Sequence, residues 1–458
     1  MITMRCSEIC QLLGGLMTGP DVSIAEVSTD SRNINAGALF VALKGPNFDG
    51  ANFIDDVAKR SAAAVIVHHP VASDLTQIIV PDTRLALGQL AAEVKARVAP
   101  KTVAVTGSAG KTTVKEMMAA ILSRRGKVLA TQGNFNNDIG VPLTLLRLTP
   151  EHQYAVMELG ANHQGEIAYT TSLVLPQVAI ITNVAPSHLE GFGDVYGVAR
   201  AKGEIFNGLP QNGVAIIPAD SEYRDYWLRR LDGKHIVQFS SQSMADYRAE
   251  GIILDEQGCA GFELCCPAGK RFVQLTLPGK HNVTNALAAA AACIALGATL
   301  EDVQLGLAQM QPVKGRTNIK RLTPAIRLID DSYNANVESV KAAIDLLASY
   351  SGYRILLLGD MAELGENARL YHEEIGLYAK QSGINLLFTV GVLSQSASDL
   401  FNGQGAHFSS RQALMQRLMP IVSEQQDVTL LVKGSRSAKM ELVVQDLLER
   451  CQQESSPC

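Results

Sequence analysis

Eight consecutive residues, Thr106-Gly107-Ser108-Ala109-Gly110-Lys111-Thr112-Thr113, constrain this chain more than any other feature. They follow the β-branched apolar run Thr102–Thr106 and precede a helical pattern over Val114–Ser123. A strand, a glycine turn and a helix N-terminus in that order make a phosphate cradle. The glycines let backbone N–H groups turn inward on phosphate oxygens, and the helix dipole adds to the attraction. Lys111 can then reach the β- and γ-phosphates, and the Thr112 hydroxyl suits Mg²⁺. The general pattern G-x-x-x-x-G-K-[ST] wants glycine where this chain has Val105, and the first glycine comes two positions later. A ligand-free glycine turn is the competing reading, and the lysine with its paired threonines opposes it. The implied ligand is a nucleoside triphosphate; the loop alone does not say what the phosphate is used for.

Such a loop belongs at the carboxyl end of a parallel strand, so the flanking sequence should be α/β. The apolar runs Ala155–Met157, Val178–Thr182 and Val214–Ile217 alternate with helical patterns and predict a central, doubly wound phosphate-loop domain over residues 85–313. Before it, the short strands Ala63–Val67 and Gln77–Val80, with turns at Gly45-Pro46 and Pro81-Asp82, predict a small N-terminal α/β domain over 1–84. After Lys314-Gly315, the runs Arg354–Gly359, Leu386–Val390 and Val428–Val432, with a helix over Ser339–Leu347, predict a C-terminal Rossmann-like α/β domain over 314–458. The region Ala245–Arg271 is poorer in pattern and reads as an antiparallel meander.

Composition narrows the class. Hydrophobic residues at 47% against 19% charged can fill several cores, and aromatics at 5% make those cores aliphatic. A net charge of −5 without a basic stretch speaks against nucleic acid. Cys6, Cys10, Cys259, Cys265, Cys266, Cys293, Cys451 and Cys458 show no C-x-x-C pairing, so reduced thiols in a cytoplasmic protein are expected rather than zinc or disulfides. The segment Met1–Gly15 carries Ser7 and Glu8 inside its apolar patch, which does not suit a signal peptide. The alanine-rich run Ala286–Ala298 is too short to span a bilayer and reads as a buried helix.

Polar residues near strand ends are the next candidates. Glu158 closes the run Ala155–Met157, where a carboxylate could bind Mg²⁺ or stand solvated. His188 follows a strand and could serve a metal or phosphate oxygens, although a lone histidine is more often structural. Lys202 reads by composition as a surface lysine. Asn282 and Asn285, at i and i+3, share a helix face suited to adenine edges; helix capping by Asn282 or Thr284 competes with that.

Together, T-G-S-A-G-K-T-T, Glu158-Leu159-Gly160, the Asn183…His188 segment, Ala201-Lys202-Gly203-Glu204, His281-Asn282-Val283-Thr284-Asn285-Ala286, Gly315-Arg316 and Asp330–Asn336 resemble the Mur ligases and their folate-polyglutamating relatives, in order and over most of the chain. Gly133–Thr144, Leu358–Gly365 and Val432–Ser437 resemble the member that adds a dipeptide, and Ser28–Arg32 with Phe40–Gly45 resembles the family's UDP-sugar-binding domain. Val105 is no departure from this family.

The resemblance implies a cytoplasmic, ADP-forming amide-bond ligase of peptidoglycan synthesis. It would join D-alanyl-D-alanine to UDP-N-acetylmuramoyl-tripeptide through an acyl phosphate, as a monomer, with ATP and two Mg²⁺ sites. Catalysis would fall to Lys111, Glu158, His188, Lys202 and Arg316. Gly107, Ser108, Ala109, Gly110, Lys111, Thr112 and Thr113 would hold phosphates; Thr112, Glu158, His188 and a carbamylated Lys202 would serve the metals. Asn282 and Asn285 would sit near adenine, Arg316 at the phosphates, Asp331 at the ribose, and Tyr333 and Asn334 by the nucleoside. Ser28, Asp30, Ser31 and Arg32 would hold the UDP sugar; Asn134, Asn136 and Asn137 the peptidyl substrate; Asn336, Lys433 and Ser435 the peptide or dipeptide. Thr317-Asn318 matches no motif. Another amino-acid-adding member or a folylpolyglutamate synthetase is the alternative within the class, opposed by Gly133–Asn137. A phosphate-loop kinase or NTPase is the alternative outside it.

Overall fold

The computed structural model describes residues 1–401 and 403–454, the side chains of 451–454 excepted. Cys458 and the Cys451 side chain therefore lie outside the described residues, and the other six cysteines are free thiols.

Strands that are apolar throughout need cover on both faces, and the central sheet has it. Along Lys101–Thr106, Val103 and Val105 point into a core shared with the helices Lys111–Leu122 and His281–Ala295. Ala104 points the other way, into a core with the helices Thr83–Val98 and Glu166–Val174. The order across this nine-stranded sheet is Val128–Ala130, Tyr154–Glu158, Lys101–Thr106, Val178–Ile181, Val214–Pro218, His235–Ser240, Tyr247–Leu254, Cys259–Cys266, Gly269–Pro278. The first seven run parallel, Cys259–Cys266 turns back antiparallel and Gly269–Pro278 reverses again, so the expected meander is present and extends to Pro278. From Lys101–Thr106 the chain winds first to one side and then to the other. The phosphate loop thus leaves the sheet at its switch point, where a crevice opens beyond the strand ends.

The N-terminal sheet has five strands in the order Leu16–Thr18, Thr76–Ile79, Ala64–Val67, Leu39–Val41, Val27–Ser28, antiparallel only at the first pair. Helix Thr83–Val98 joins its apolar cluster to one face of the central sheet. The C-terminal sheet has six strands in the order Asn318–Thr323, Ile326–Asp331, Val428–Lys433, Tyr353–Gly359, Leu386–Val390, Gly405–Phe408, again antiparallel only at the first pair. The alanine-rich run is the buried helix His281–Ala295, with Ala286 to Cys293 all sealed from solvent. No described helix is long and apolar enough to cross a membrane.

Among the described residues, three hydrogen bonds outside the connecting segment dock the C-terminal unit on the central one. Asn336 Nδ2 donates to Ser108 O at 3.1 Å, Tyr350 Oη to Gln257 O at 2.6 Å, and Leu189 N to Glu363 O at 2.9 Å. The C-terminal unit therefore lies closed over the phosphate loop.

Candidate active site

The loop is pinned from the neighbouring strand end. Ser108 N donates to Asn183 O at 3.1 Å, Ala109 N to Asn183 Oδ1 at 2.8 Å, and Thr182 Oγ1 to Ala109 O at 2.6 Å. Gly110 has φ +80°, and a Cβ there would lie 2.6 Å from Asn285 Oδ1, so this position tolerates only glycine. Lys111 Nζ folds back on Gly107 O at 2.7 Å. Burial, opposed by Glu158 and reinforced by Arg316, holds its ammonium below the ordinary lysine range.

Strand register sets Glu158 opposite Val105, one residue before the end of the phosphate-loop strand. Its Oε2 accepts Thr112 Oγ1 at 2.9 Å and its Oε1 accepts Asn136 Nδ2 at 2.9 Å. Glu158 is 2% exposed, so the solvated reading is excluded. Among the described residues it forms no ion pair and meets only neutral donors. A buried carboxylate beside a hydroxyl, with no cation in contact, is a hard-oxygen donor set that fits a divalent ion.

Lys202 is a correction. It is 2% exposed and not a surface lysine, because helix Val195–Gly203 packs against Leu189 and Phe192, and Nζ lies 5.9 Å from the Phe192 ring centre. Among the described residues no carboxylate or hydrogen-bond acceptor meets Nζ. Burial first, then the Lys111 charge, push it well below the ordinary lysine range. His188 stands nearby with φ +51° and Nδ1 2.5 Å from Glu363 Oε2. Burial lowers its pKa foremost, and Glu363 works against that.

A cavity of about 610 Å³ opens between the loop and the C-terminal unit, a volume typical of sites for small molecules. Ser108, Ala109, Gly110, Lys111, Thr112, Thr113, Asn285, Arg316, Asp331, Tyr333, Asn334, Asn336 and Lys433 all line it. The Arg316 guanidinium stacks 4.5 Å from the Tyr333 ring centre. Asp331 and Lys433 are register partners on adjacent parallel strands, and Lys433 Nζ meets Asp331 Oδ2 at 2.5 Å. Thr317, which the sequence left open, sits at φ +50° and donates its N–H to Asp331 Oδ1 at 3.1 Å; it holds that carboxylate from the other side.

Asn282 and Asn285 do share a face, but only Asn285 reaches the cavity. Asn282 lies behind it, donating to Pro278 O at 2.8 Å and accepting Asn285 Nδ2 at 2.9 Å. The capping alternative fails: the helix starts after Lys280 with no side-chain cap, and Thr284 Oγ1 meets Ser241 Oγ at 2.6 Å. Asp220 and Tyr223, which belong to no motif, also line the cavity, as does His281 from the motif that opens the alanine-rich helix. Asp220 follows the strand Val214–Pro218, so the strand-end rule applied to Glu158 would have found it.

Other candidates stand apart from the cavity. Ser435 donates through N and Oγ to Asp360 O at 2.9 and 2.6 Å. Asn137 Oδ1 accepts Gly140 N at 2.8 Å, and Asn134 O accepts Asn136 N at 2.8 Å, so these asparagines shape the turn that presents Asn136 to Glu158. In the N-terminal unit, Ser28, Asp30, Ser31 and Arg32 form a self-contained turn. Arg32 Nε lies 2.9 Å from Asp30 Oδ1, and that guanidinium holds the Asp30 carboxyl below the usual carboxylate range.

Asn336 caps helix Val337–Ala348 through Ser339 N and also bridges to Ser108. Asn336→Ala should cost about 1 kcal/mol of stability through the lost cap. It should also raise the KM for ATP about two- to tenfold, the worth of one interdomain hydrogen bond. Asn336→Ser keeps the cap and not the bridge, so thermal unfolding should recover while KM stays raised. A KM that recovers with serine would deny the bridge its role.

Three family descriptions match the chain: "Mur ligase family, catalytic domain" over residues 23–95, "Mur ligase middle domain" over 105–293, and "Mur ligase, glutamate ligase domain" over 315–436. The chain is similar to the UDP-N-acetylmuramoyl-tripeptide–D-alanyl-D-alanine ligase of Escherichia coli K12, with 49% identity over 98% of this chain and 99% of that protein. Its fold superposes on MurF from Acinetobacter baumannii with a TM-score of 0.94 and 39% identity, covering 98% of this chain and 99% of the other. It also superposes on the MurF ligase of Thermotoga maritima in complex with ADP, with a TM-score of 0.84, 27% identity and coverage of 94% and 98%.

Proposed function

The chain belongs to the Mur ligase family, and from that premise we propose that it joins D-alanyl-D-alanine to UDP-N-acetylmuramoyl-tripeptide at the expense of ATP, releasing ADP and phosphate. The reading is carried by one observation: the phosphate loop and the C-terminal unit enclose a single cavity into which Lys111 and Arg316 both project.

A carboxylate is a poor acylating agent because oxide is a poor leaving group. Moving the γ-phosphoryl of ATP to the tripeptide's terminal carboxylate makes an acyl phosphate. The dipeptide amine attacks its carbonyl carbon, the C–O bond to phosphate breaks, and the amine loses its proton. Three anionic reactants must meet, so cations have to offset their repulsion and the charge that develops on the phosphoryl oxygens. Lys111 does this from the loop and Arg316 from the opposite wall. The Gly107–Thr113 backbone cradles the phosphates, Asn285 lies at adenine with Asn282 fixing its amide, and Asp331, Tyr333 and Asn334 lie along the nucleoside. Thr112, Glu158, His188 and Lys202 would hold Mg²⁺, in two sites, and the ion would supply positive charge against the phosphates and help orient the γ-phosphoryl group. Acyl phosphates hydrolyse, so the docked C-terminal unit serves to exclude water.

The three units divide the substrates. Residues 1–84, through Ser28–Arg32, anchor the UDP sugar. Residues 85–313 bind ATP, with Asn134, Asn136 and Asn137 at the peptidyl end. Residues 314–458 bring the dipeptide, with Asn336, Lys433 and Ser435 beside it.

Lys202 carries a carbamate in the working enzyme. Once deprotonated, its buried Nζ attacks CO₂, an N–C bond forms as a C–O π bond opens, and a proton leaves, giving an anionic group in place of an ammonium that burial disfavours. With ¹³C-bicarbonate, nuclear magnetic resonance should detect one carbamate carbon that Lys202→Arg removes; a spectrum identical in both proteins would refute it.

ADP release and product mass, measured with the UDP-linked tripeptide against D-Ala-D-Ala and single amino acids, test the reaction. Release should require both the carboxylate and the dipeptide. Release without an amine would point to a kinase or NTPase, and preference for a single amino acid to another member of the family.

A further inference from the structure

The loop Met361–Gly365 leaves the C-terminal sheet after the strand Tyr353–Gly359 and reaches across to the central unit. Its root is fixed. Met361 N donates to Nε2 of the buried His372, whose Nδ1 meets Ala368 O at 2.7 Å. Its tip is Glu363, a non-glycine residue at φ +62°, a conformation that a Cβ disfavours and that persists only where surroundings hold it. What holds it is the other unit: Glu363 O accepts Leu189 N at 2.9 Å, and Glu363 Oε2 lies 2.5 Å from His188 Nδ1. His188 is itself at φ +51°, so two left-handed residues face each other across the domain boundary. The Nδ1 atom is buried and has no in-line hydrogen-bond partner among the described residues, which leaves Glu363 as its acceptor after a small ring rotation.

We propose that Glu363 is a positioning residue that completes the cation site from the C-terminal unit: its carboxylate takes the Nδ1 proton of His188 in a hydrogen bond, so that Nε2 faces the metal. This rests on the reading of His188 as a metal ligand. A histidine that binds a metal through one ring nitrogen needs the other one oriented. A carboxylate there fixes the tautomer and strengthens the donor, and losing such a partner typically costs about 10- to 100-fold in metal affinity. Here the orienting carboxylate comes from the other unit, across the domain boundary. The central unit alone then holds the cation weakly, and closing the C-terminal unit tightens it. By thermodynamic reciprocity, the bound cation favours closure by the same factor.

The test is Mn²⁺ binding to the full chain, followed by electron paramagnetic resonance of the free ion, in wild type, Glu363→Gln and Glu363→Ala. The backbone bond from Leu189 to Glu363 survives both changes, and glutamine is nearly isosteric, so at least one variant folds. Alanine should weaken Mn²⁺ by about 10- to 100-fold, and glutamine, which keeps an acceptor but not the charge, by a smaller factor above about twofold. Small-angle scattering should show wild type contracting on addition of Mn²⁺ and Glu363→Ala failing to contract at the same concentration. Affinities within twofold of wild type in Glu363→Ala overturn the inference, and so does a glutamine variant that binds as wild type does, because the contact is then only steric. A wild type that binds no Mn²⁺ overturns the underlying cation reading. Product formation, assayed on the same wild-type sample, reports separately on the ligase reaction.

Discussion

Lys111→Ala should lower turnover by roughly 10³-fold or more while leaving the chain at least as resistant to heat as the wild type. A cation placed on a transferring phosphoryl group is worth about 10³- to 10⁵-fold in rate. The Lys111 ammonium has that position at the mouth of the loop helix, 2.7 Å from Gly107 O. Its effect on stability runs the other way. Burial and the facing Arg316 depress its pKa, which means that the folded state disfavours the charged form relative to the unfolded chain. That penalty is present at neutral pH, where the unfolded-state lysine is fully protonated, and disappears with the side chain. Loss of activity at an unchanged or raised melting temperature is the expected pattern. A melting temperature that falls in step with activity would mean that Lys111 is a structural residue. Functional sites often hold charge at the expense of stability.

Arg316→Ala should slow the reaction by roughly 30- to 1,000-fold at saturating substrates, the equivalent of about 2–4 kcal/mol of barrier. Arg316 comes one residue after Gly315, which has φ +71° and lies at the entry to the C-terminal unit, so its guanidinium travels with that unit. The Tyr333 ring, 4.5 Å away, holds the guanidinium plane in place before any phosphate arrives. Arg316→Lys should recover little, because an ammonium neither stacks as a plane nor grips two oxygens at once. Turnover within about twofold of wild type in Arg316→Ala would leave the closing role without support.

The parts of this molecule that the sequence disclosed are those where one physical requirement dominates. Leu386–Val390 is found at its full extent because a parallel strand buried on both faces is an unbroken apolar run. The phosphate loop is legible because a left-handed turn beneath a helix admits few residues besides Gly110. Lys202 was misjudged because nothing in Ala201-Lys202-Gly203-Glu204 marks it as buried; Phe192 and Leu189, an earlier helical turn, decide that. Asn282 and Asn285 show what spacing can and cannot say. Periodicity places both on one face, but the path of the helix past the loop decides that only Asn285 is in reach. Asp220 and Glu363 lie in loops beyond strand ends. Position after a strand could have flagged Asp220, and Glu363 stands inside the Leu358–Gly365 motif, but the partners that give them a role are distant in sequence and only the fold supplies them.

The helix His281–Ala295 is buried between the phosphate-loop helix, the strands beside it and the helix Leu300–Ala308 through an alanine-rich stretch, Ala286 through Ala292 with a single leucine. Small side chains that are fully buried leave little room for larger ones in this layer. One added methylene would have to push the loop helix forward, and with it every phosphate contact. Adaptation of such an enzyme to heat or cold therefore has little room to work in this layer, and tuning of its working temperature falls to the outer helices and to the surfaces where the units meet.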